Sequence, residues 1–564
     1  MSVVSTAAAA HRRPASDRSA ARALPVWWPL AALTLLAAVL RLSTLDLQSF
    51  WYDEAFTPVH VLHPSLSATL TAMVHSENTP PLWYVLVWAD SRILGTGEVA
   101  LRLPSALAGI ATVPVAWGIG RELSGRGAAI ACAALVAVNP LFVWYSQEAR
   151  AYGLFVLCAA LAMLCFLRAE HEPTRGRMAL FALTGALALL SHYFAVFLLI
   201  PMVLWLLFGP GERRPQTRRA ALGAVGVLVL VGLALLPLIS AQGGHGTQWI
   251  GRWPLSERLQ AIPQYYLTGY SGAPLGHGVE LLVALVILAA LAVGLRAMLA
   301  TPRPAARPGT RAPAPPSHGQ GEQRGEERGE ERGEADRARA RRGALIALSI
   351  TAAGVLLPIV LVAFGADYLA PRNLVGAMIP LSALIAVVAT APGSGRAGAA
   401  LVASTALLFL LITIDVDLSP RLQRGNWRGV AHALRGGAAA RAITTVELGS
   451  APLEYYIPGL HGLEPGGRVT VSEIDETGYA PLIATAGSSP APGFHLLARL
   501  DIDGLIVYRF VSPVPRAVSE AALRGHVITA AQPSVLIAPG ARVSATGVAT
   551  GSSLARLPSE RKKI

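Results

Sequence analysis

Lysine is nearly absent from this chain: Lys562 and Lys563, at the very end, are the only two, and every other strongly basic side chain is an arginine. Charge of either sign is scarce. Asp, Glu, Lys and Arg make up 14% of the 564 residues, against 53% hydrophobic ones, and mean hydropathy is +0.49. A balance this apolar excludes a soluble protein of such length and indicates a polytopic membrane protein. Cysteine is also rare, and Cys132, Cys158 and Cys165 all fall inside apolar segments. Their spacing excludes a disulfide framework and a zinc site, so they are expected to pack as small hydrophobes. There is no phosphate-cradling glycine loop, zinc spacing or Ser/His/Asp arrangement, which leaves soluble nucleotide chemistry without support. The net charge of +13 would suggest nucleic acid in a soluble protein. Here the arginines lie between apolar stretches, a pattern of membrane topology, and no nucleic-acid partner is expected.

What is present is a series of apolar runs near the ~20 residues needed to cross hydrocarbon. They fall at about 25–43, 99–120, 127–145, 151–168, 178–191, 194–209, 220–240, 279–299, 343–364, 373–392 and 397–415. Residues 1–24 carry Arg12, Arg13, Arg18 and Arg22, and the run that follows leads into RLSTLDLQSFWYDE with no small-residue cleavage site. The spacing predicts an uncleaved first span with a cytoplasmic N-terminal tail. The stretch 80–94 begins with two prolines and carries Asp90 and Arg92, which suits a helix lying at the interface better than a span. Arginine placement supports that choice. With 80–94 outside the membrane, Arg121, Arg126, Arg168, Arg175, Arg177, Arg213, Arg214, Arg218, Arg219, Arg396 and the arginine-rich 296–342 all face the cytoplasm. The fold expected is therefore an α-helical polytopic membrane protein of about eleven spans over 25–415, with a first outer loop at 44–98. Residues 301–342, a proline tract followed by GEERGEERGE, have no apolar face and are expected to be a disordered cytoplasmic loop. Residues 416–564 change character. NWRGVAHALRG suggests a helix, and AITTVEL, RVTVSEI, GLIVYRFV and HVITAA suggest strands, so a small extracytoplasmic α/β domain is expected there.

The same topology gathers chemistry on the outer face. WYDEAFT places Asp53 and Glu54 side by side just beyond the first span, where charges are costly in hydrocarbon and belong in water or a protein cavity. The same face receives Glu77, Glu148, Arg92, Arg102, Arg150, Arg372, His75 and His192. Such a set suits group transfer: a carboxylate takes a proton from an acceptor hydroxyl, and arginines hold a departing phosphate. Plainer readings apply to each residue. Glu148 and Arg150 fit an interfacial pair, His192 a helix end, and Arg102 and Arg372 span anchors. Trp51, Trp83, Trp88, Trp249 and Trp253 fit an interfacial aromatic belt as well as sugar stacking.

In order along the chain, WYDEAFT, NTPPLWY, RLPSALAG, NPLFVWYSQEARAYGL, SHY and PRN resemble the C-type membrane glycosyltransferases. Within that class it resembles bacterial mannosyltransferase-like proteins, protein O-mannosyltransferases and aminoarabinose lipid A transferases. The resemblance covers residues 25–200 well and 365–420 loosely. It implies transfer of a sugar, mannose- or arabinose-like, from a polyprenyl-phosphate carrier to a protein, lipid or glycan acceptor. Catalytic positions fall on Asp53, Glu54 and Glu148, and donor-phosphate contacts on Arg102, Arg150, His192 and Arg372. Trp51, Tyr52, His75, Glu77, Tyr152 and Tyr193 become the substrate-contact candidates. No cofactor is expected. The wider superfamily contains metal-dependent members, but adjacent residues such as Asp53 and Glu54 need not point into one coordination shell, and no metal is expected here. Two other readings stay open on the residues alone: a transporter, for which no internal repeat is visible, and a membrane scaffold whose tail domain does the binding.

The topology has a direct test. Cysteines introduced as Asp90→Cys and Ser124→Cys are expected to label from opposite sides of the membrane with an impermeant thiol reagent. Labelling from one side would overturn the placement of 80–94.

Overall fold

In hydrocarbon every backbone N–H and C=O must find its partner within the protein, so apolar segments of this length fold as helices. The computed structural model describes residues 27–209, 215–244, 247–269, 272–276, 278–300, 319–438, 440–529 and 533–544. The expected N-terminal tail and the last residues of the chain lie outside the described residues. All eleven apolar runs are helical. They are α1 (Trp28–Leu42), α5 (Glu98–Ser124), the pair α6 (Arg126–Val138) and α7 (Pro140–Ser146), α8 (Tyr152–His171), α9 (Arg175–Ser191), α10 (Ala195–Phe208), α11 (Pro215–Gln242), α14 (Val279–Leu299), α15 (Gly319–Ala363), α16 (Met378–Ala389) and α17 (Gly395–Leu418). Among the described residues, seven helical stretches are long and apolar enough to cross a membrane, or eight with α6 and α7 taken as one bent span. The chain is a multi-pass membrane protein.

Between α1 and α5 lie α2 (Tyr52–Phe56), a π-helical turn at Thr57–Val61, α3 (Leu66–Ser76) and α4 (Leu82–Leu94). At 13 residues α4 is about 20 Å long, too short for a ~30 Å hydrocarbon layer. It buries Trp83, Tyr84 and Val87 beside Met73 of α3 and Leu101 of α5. The loop after α11 carries α12 (Gln248–Arg252) and α13 (Leu255–Thr268).

From Gly319 the acidic and basic tract is helical and continuous with the apolar part of α15. Its composition offers no apolar face, but acids and arginines three residues apart, such as Arg328 and Glu331, support a helix that the apolar segment has already nucleated. Residues 301–318 lie outside the described residues.

The bend between α6 and α7, 56°, has a clear cause. Pro140 has no N–H for the Val136 carbonyl, and Asn139 starts a new helix by accepting a hydrogen bond from the Phe142 N–H at 3.1 Å. The carbonyls released by the break are taken by Arg41 of α1, fully buried, which donates to Ala137 O at 2.8 Å and Val136 O at 3.3 Å. Its Nε donates to Ser146 Oγ at 3.1 Å. Gly109 of α5 leaves the room, since a Cβ there would lie 2.0 Å from Ser146 Oγ.

Beyond α17 the chain forms a sheet domain. Its elements are α18 (Trp427–Leu434), β1 (Arg441–Val446), α19 (Ser450–Tyr456), β2 (His461–Gly462), β3 (Arg468–Tyr479), β4 (His495–Ile502), β5 (Leu505–Ser519), α20 (Glu520–Gly525), β6 (Pro533–Ile537) and β7 (Arg542–Ser544). Strand order is β2-β6-β1-β3-β5-β4, with β7 on β3; β1 and β3 are parallel and every other pair is antiparallel. AITTVEL, RVTVSEI and GLIVYRFV fall on β1, β3 and β5. In HVITAA, residues 526–529 are not in a strand, 530 and 531 lie outside the described residues, and the next described strand begins at Pro533. One face of the sheet packs Ile443 and Val507 against Trp427, Val430 and Leu434 of α18, and Trp51 completes that cluster.

Glu54 and Arg102 tie the segment before α2 to α5. Both are buried, and all the guanidinium donors are used: Nε and Nη2 reach Glu54 Oε1 and Oε2 at 2.7 Å each, and the rest bind the carbonyls of Leu45, Gln48 and Ser49. Glu54→Gln leaves the guanidinium in place without its counter-charge, and a loss of ~3–5 kcal/mol is expected, read as a lower thermal midpoint of the purified protein. Arg102→Lys should also lower the midpoint, because one ammonium cannot serve five acceptors spread around a plane. A wild-type midpoint in Glu54→Gln would show that the pair is not the clamp.

Candidate functional site

A cavity of about 790 Å³ opens where α2, the ends of α8, α9 and α11 and the segment before α16 meet. Its two ends differ. One carries Asp53, Glu77, Arg150, Tyr152, His192 and Arg372; the other runs between helices past Phe197 of α10, Leu233 and Leu236 of α11 and Leu361 of α15. The sheet domain closes part of the rim with Leu448 and Ser450.

At the polar end the charges come as two ion pairs. Arg372 Nη1 donates to Asp53 Oδ2 at 2.6 Å, and its guanidinium lies 4.9 Å from the centre of the Trp249 ring. Arg150 grips Glu77 through both nitrogens, at 2.8 and 3.0 Å, and donates to the Asp53 carbonyl at 3.3 Å. α2 explains why Asp53 and Glu54 part company. Successive helical residues point about 100° apart, so Asp53 faces the cavity while Glu54 turns to Arg102 and accepts the Ala149 N–H at 2.9 Å.

His192 caps the end of α9 and stacks on Phe155, with ring centres 4.7 Å apart. Burial, with the positive Arg372 and Arg150 nearby, pushes its pKa down to about 3. The ring is therefore neutral at physiological pH. Its Nδ1 accepts the Phe194 N–H at 3.2 Å, so the remaining proton sits on Nε2, which can donate. Tyr152 starts α8, with its ring 5.8 Å from that of His192. Tyr193 donates to Gln242 Oε1 at 2.7 Å, and the Gln242 amide reaches the Thr79 carbonyl at 3.1 Å.

Eight of the sequence-derived candidates line this cavity: Asp53, Tyr52, Glu77, Arg150, Tyr152, His192, Tyr193 and Arg372. Five stand elsewhere. Glu54 and Arg102 form the buried pair described above. Glu148 is fully buried beneath the cavity, where Arg424 donates to its Oε2 at 3.3 Å and Oε1 has no hydrogen-bond partner. Burial pushes its pKa up to about 7, against the pull of Arg424 and with the push of the Glu54 and Asp53 carboxylates. Trp51 packs into the core of the sheet domain, and His75 is exposed and away from the cavity. Residue type alone cannot make these separations, because they depend on which way each side chain leaves its helix.

Other participants gave weaker signals. Trp249 sat among belt tryptophans, and nothing in QRGNWRG marks Arg424 as the residue that crosses back to the Trp144 and Gln147 carbonyls, at 3.2 and 3.3 Å. Among the described residues no three His, Cys, Asp or Glu side chains converge in a way that could hold a metal ion.

Comparison with known proteins adds four findings. No curated protein matches the chain. The crystal structure of ArnT from Cupriavidus metallidurans bound to undecaprenyl phosphate aligns at 12% identity and TM-score 0.48, covering 86% of this chain and 98% of that one. The archaeal oligosaccharyltransferase AglB from Archaeoglobus fulgidus, in complex with an inhibitory peptide and a dolichol-phosphate, aligns at 15% identity and TM-score 0.39, covering 76% and 59%. Residues 78–236 match the family model described as dolichyl-phosphate-mannose-protein mannosyltransferase. That matched segment holds NTPPLWY, RLPSALAG, YSQEARAYGL and SHY.

Proposed function

We propose that this protein transfers a sugar from a polyprenyl-phosphate carrier to an acceptor on the outer face of the membrane. The observation that carries this reading is the two-ended cavity: arginines and carboxylates at one end, a continuous apolar path between helices at the other. A lipid-linked sugar has the same division, with a phosphate and sugar joined to a chain that belongs in hydrocarbon. The tail would lie along α10, α11 and α15 while the phosphate meets Arg372.

The reaction is a single displacement. An acceptor hydroxyl attacks the anomeric carbon, its proton passes to Asp53, and the bond from that carbon to the phosphate oxygen breaks, releasing polyprenyl phosphate. Arg372 is shared in turn. Before the donor arrives it neutralises Asp53; the incoming phosphate competes for the guanidinium and leaves the carboxylate available as base. The neutral His192 would donate Nε2–H to a phosphate or sugar oxygen. Arg150 stays with Glu77 and fixes the Asp53 backbone, a positioning role. Glu54, Arg102 and Glu148 act one layer further out, on the shape of the segments that carry Asp53 and Arg150. Mannose- and arabinose-type sugars are the first donors to try; acceptors are protein, lipid or glycan. On this reading the Asp53 face is outside, the N-terminus is cytoplasmic and the sheet domain is extracytoplasmic.

Membranes carrying Asp53→Asn are expected to release polyprenyl phosphate ~10²–10⁴-fold more slowly than wild type, with Asp53→Glu in between. Unchanged turnover in the Asn variant would sink the role of Asp53. Arg372→Ala is expected to lower kcat by ~10²–10³-fold, as for loss of a group that stabilises developing charge, whereas Arg92→Ala, outside the cavity, should leave it unchanged. Equal effects at the two positions would argue against Arg372 as the phosphate contact.

A further inference from the structure

A second cavity lies at the far ends of α9 and α11, away from the Asp53 face. The two helices pack closely near their middles, where a Cβ on Gly185 would lie 2.8 Å from Leu228 Cδ2. Below that point they part, leaving a cleft of about 470 Å³ floored by Met178 and Ala182 of α9 and Gly223 and Val227 of α11. Among the described residues nothing crowds it at Gly223, where a Cβ would meet no atom within 4 Å. Arg175 and Arg219 stand at its mouth, both exposed, where each apolar stretch ends.

The charges around this mouth are unevenly used. Glu172 is paired with Arg177 at 2.6 Å, Glu122 with Arg168 at 3.3 Å, and Glu170 with Arg342. Arg175 and Arg219 have no acidic partner among the described residues. Two uncompensated cations over an apolar crevice at the membrane boundary favour an occupant that is anionic at one end and hydrocarbon at the other. We infer that this cleft holds a phospholipid with an anionic headgroup, its phosphate between Arg175 and Arg219 and one acyl chain along Gly223. The site is independent of the sugar-transfer reading, since no residue of it reaches the Asp53 cavity.

Gly223→Leu provides a test that spares both arginines. An added Cβ there meets no atom within 4 Å, so a leucine can enter the crevice and occupy part of it, and leucine favours helix over glycine. The full-length protein, purified in detergent and offered phosphatidylglycerol or phosphatidylcholine, is examined by native mass spectrometry, with gel filtration to confirm that each variant is folded. Wild type is expected to retain phosphatidylglycerol over phosphatidylcholine by roughly fivefold for each arginine. That preference should vanish in Arg175→Ala/Arg219→Ala, retention should fall in Gly223→Leu, and Arg396→Ala should change neither. No preference in the wild type would overturn the assignment, as would a preference that survives the double arginine variant or full retention in Gly223→Leu. Thermal protection by inorganic phosphate equal to that by phosphatidylglycerol would also overturn it, since it would make the site one for a free ion.

Discussion

The hydrogen bonds between Glu54 and Arg102 set the shape of the segment on which the site depends. A carboxylate and a guanidinium withdrawn this completely from water are held at net benefit only when every donor and most acceptor positions are used. Here the five guanidinium donors reach two carboxylate oxygens and three carbonyls, and Glu54 also takes the Ala149 N–H. One interaction therefore shapes residues 45–49, fixes the direction in which α2 leaves them, and docks α2 on the segment that carries Arg150. Asp53 faces the cavity because its neighbour is held on the opposite side.

The same economy of buried arginines recurs around the bend in the third apolar segment. Arg41 takes carbonyls at the end of α6, and Arg424 takes those at the end of α7 while lying 4.2 Å from the centre of the Trp144 ring. Without such donors a broken helix at membrane depth would leave orphaned carbonyls. The bend lets SQEAR turn inward beneath the cavity, so Arg41 and Arg424 contribute to the site without touching it. Arg424 comes from the connection to the sheet domain, Trp51 packs in that domain's core, and the Tyr456 hydroxyl accepts the Phe50 N–H at 2.7 Å. The sheet domain thus helps to hold the Asp53 segment in place.

This division explains what could be read from the sequence. The helices were legible because hydrophobic length is a local property, and the stretch 80–94 was legible as a poor span because it is short, starts with two prolines and carries Asp90 and Arg92; it forms a helix of only 13 residues. β1, β3 and β5 showed in their rich content of β-branched and aromatic residues. Roles were harder to read. Asp53 and Glu54 differ by one methylene and one position, and only the helical turn between them separates a cavity residue from a clamp. Arg102, Arg150 and Arg372 were indistinguishable as residue types, yet the first is spent on structure, the second on Glu77, and the third lies over Trp249. The tract from Gly319 misled for the opposite reason: its composition suits a solvated coil, but its attachment to an apolar helix decides its conformation.

Both ion pairs in the cavity join the segment 52–77 to distant parts of the chain, Glu77 to Arg150 and Asp53 to Arg372, the latter across 319 residues. The first pair joins the end of α3 to the α7–α8 junction and the second joins α2 to the segment before α16, so together they tie three distant parts of the chain to one cavity. The two pairs balance each other, His192 is held neutral by its surroundings, and Arg252 adds a third guanidinium to the cavity lining. An anion that reaches Arg150 or Arg372 must compete for a guanidinium already in use. Arg150 is engaged through both nitrogens and also braces the Asp53 carbonyl, whereas Arg372 meets Asp53 through Nη1 and borders the open cavity. Exchange of partners therefore costs less at Arg372, and it changes the state of Asp53 in the same step.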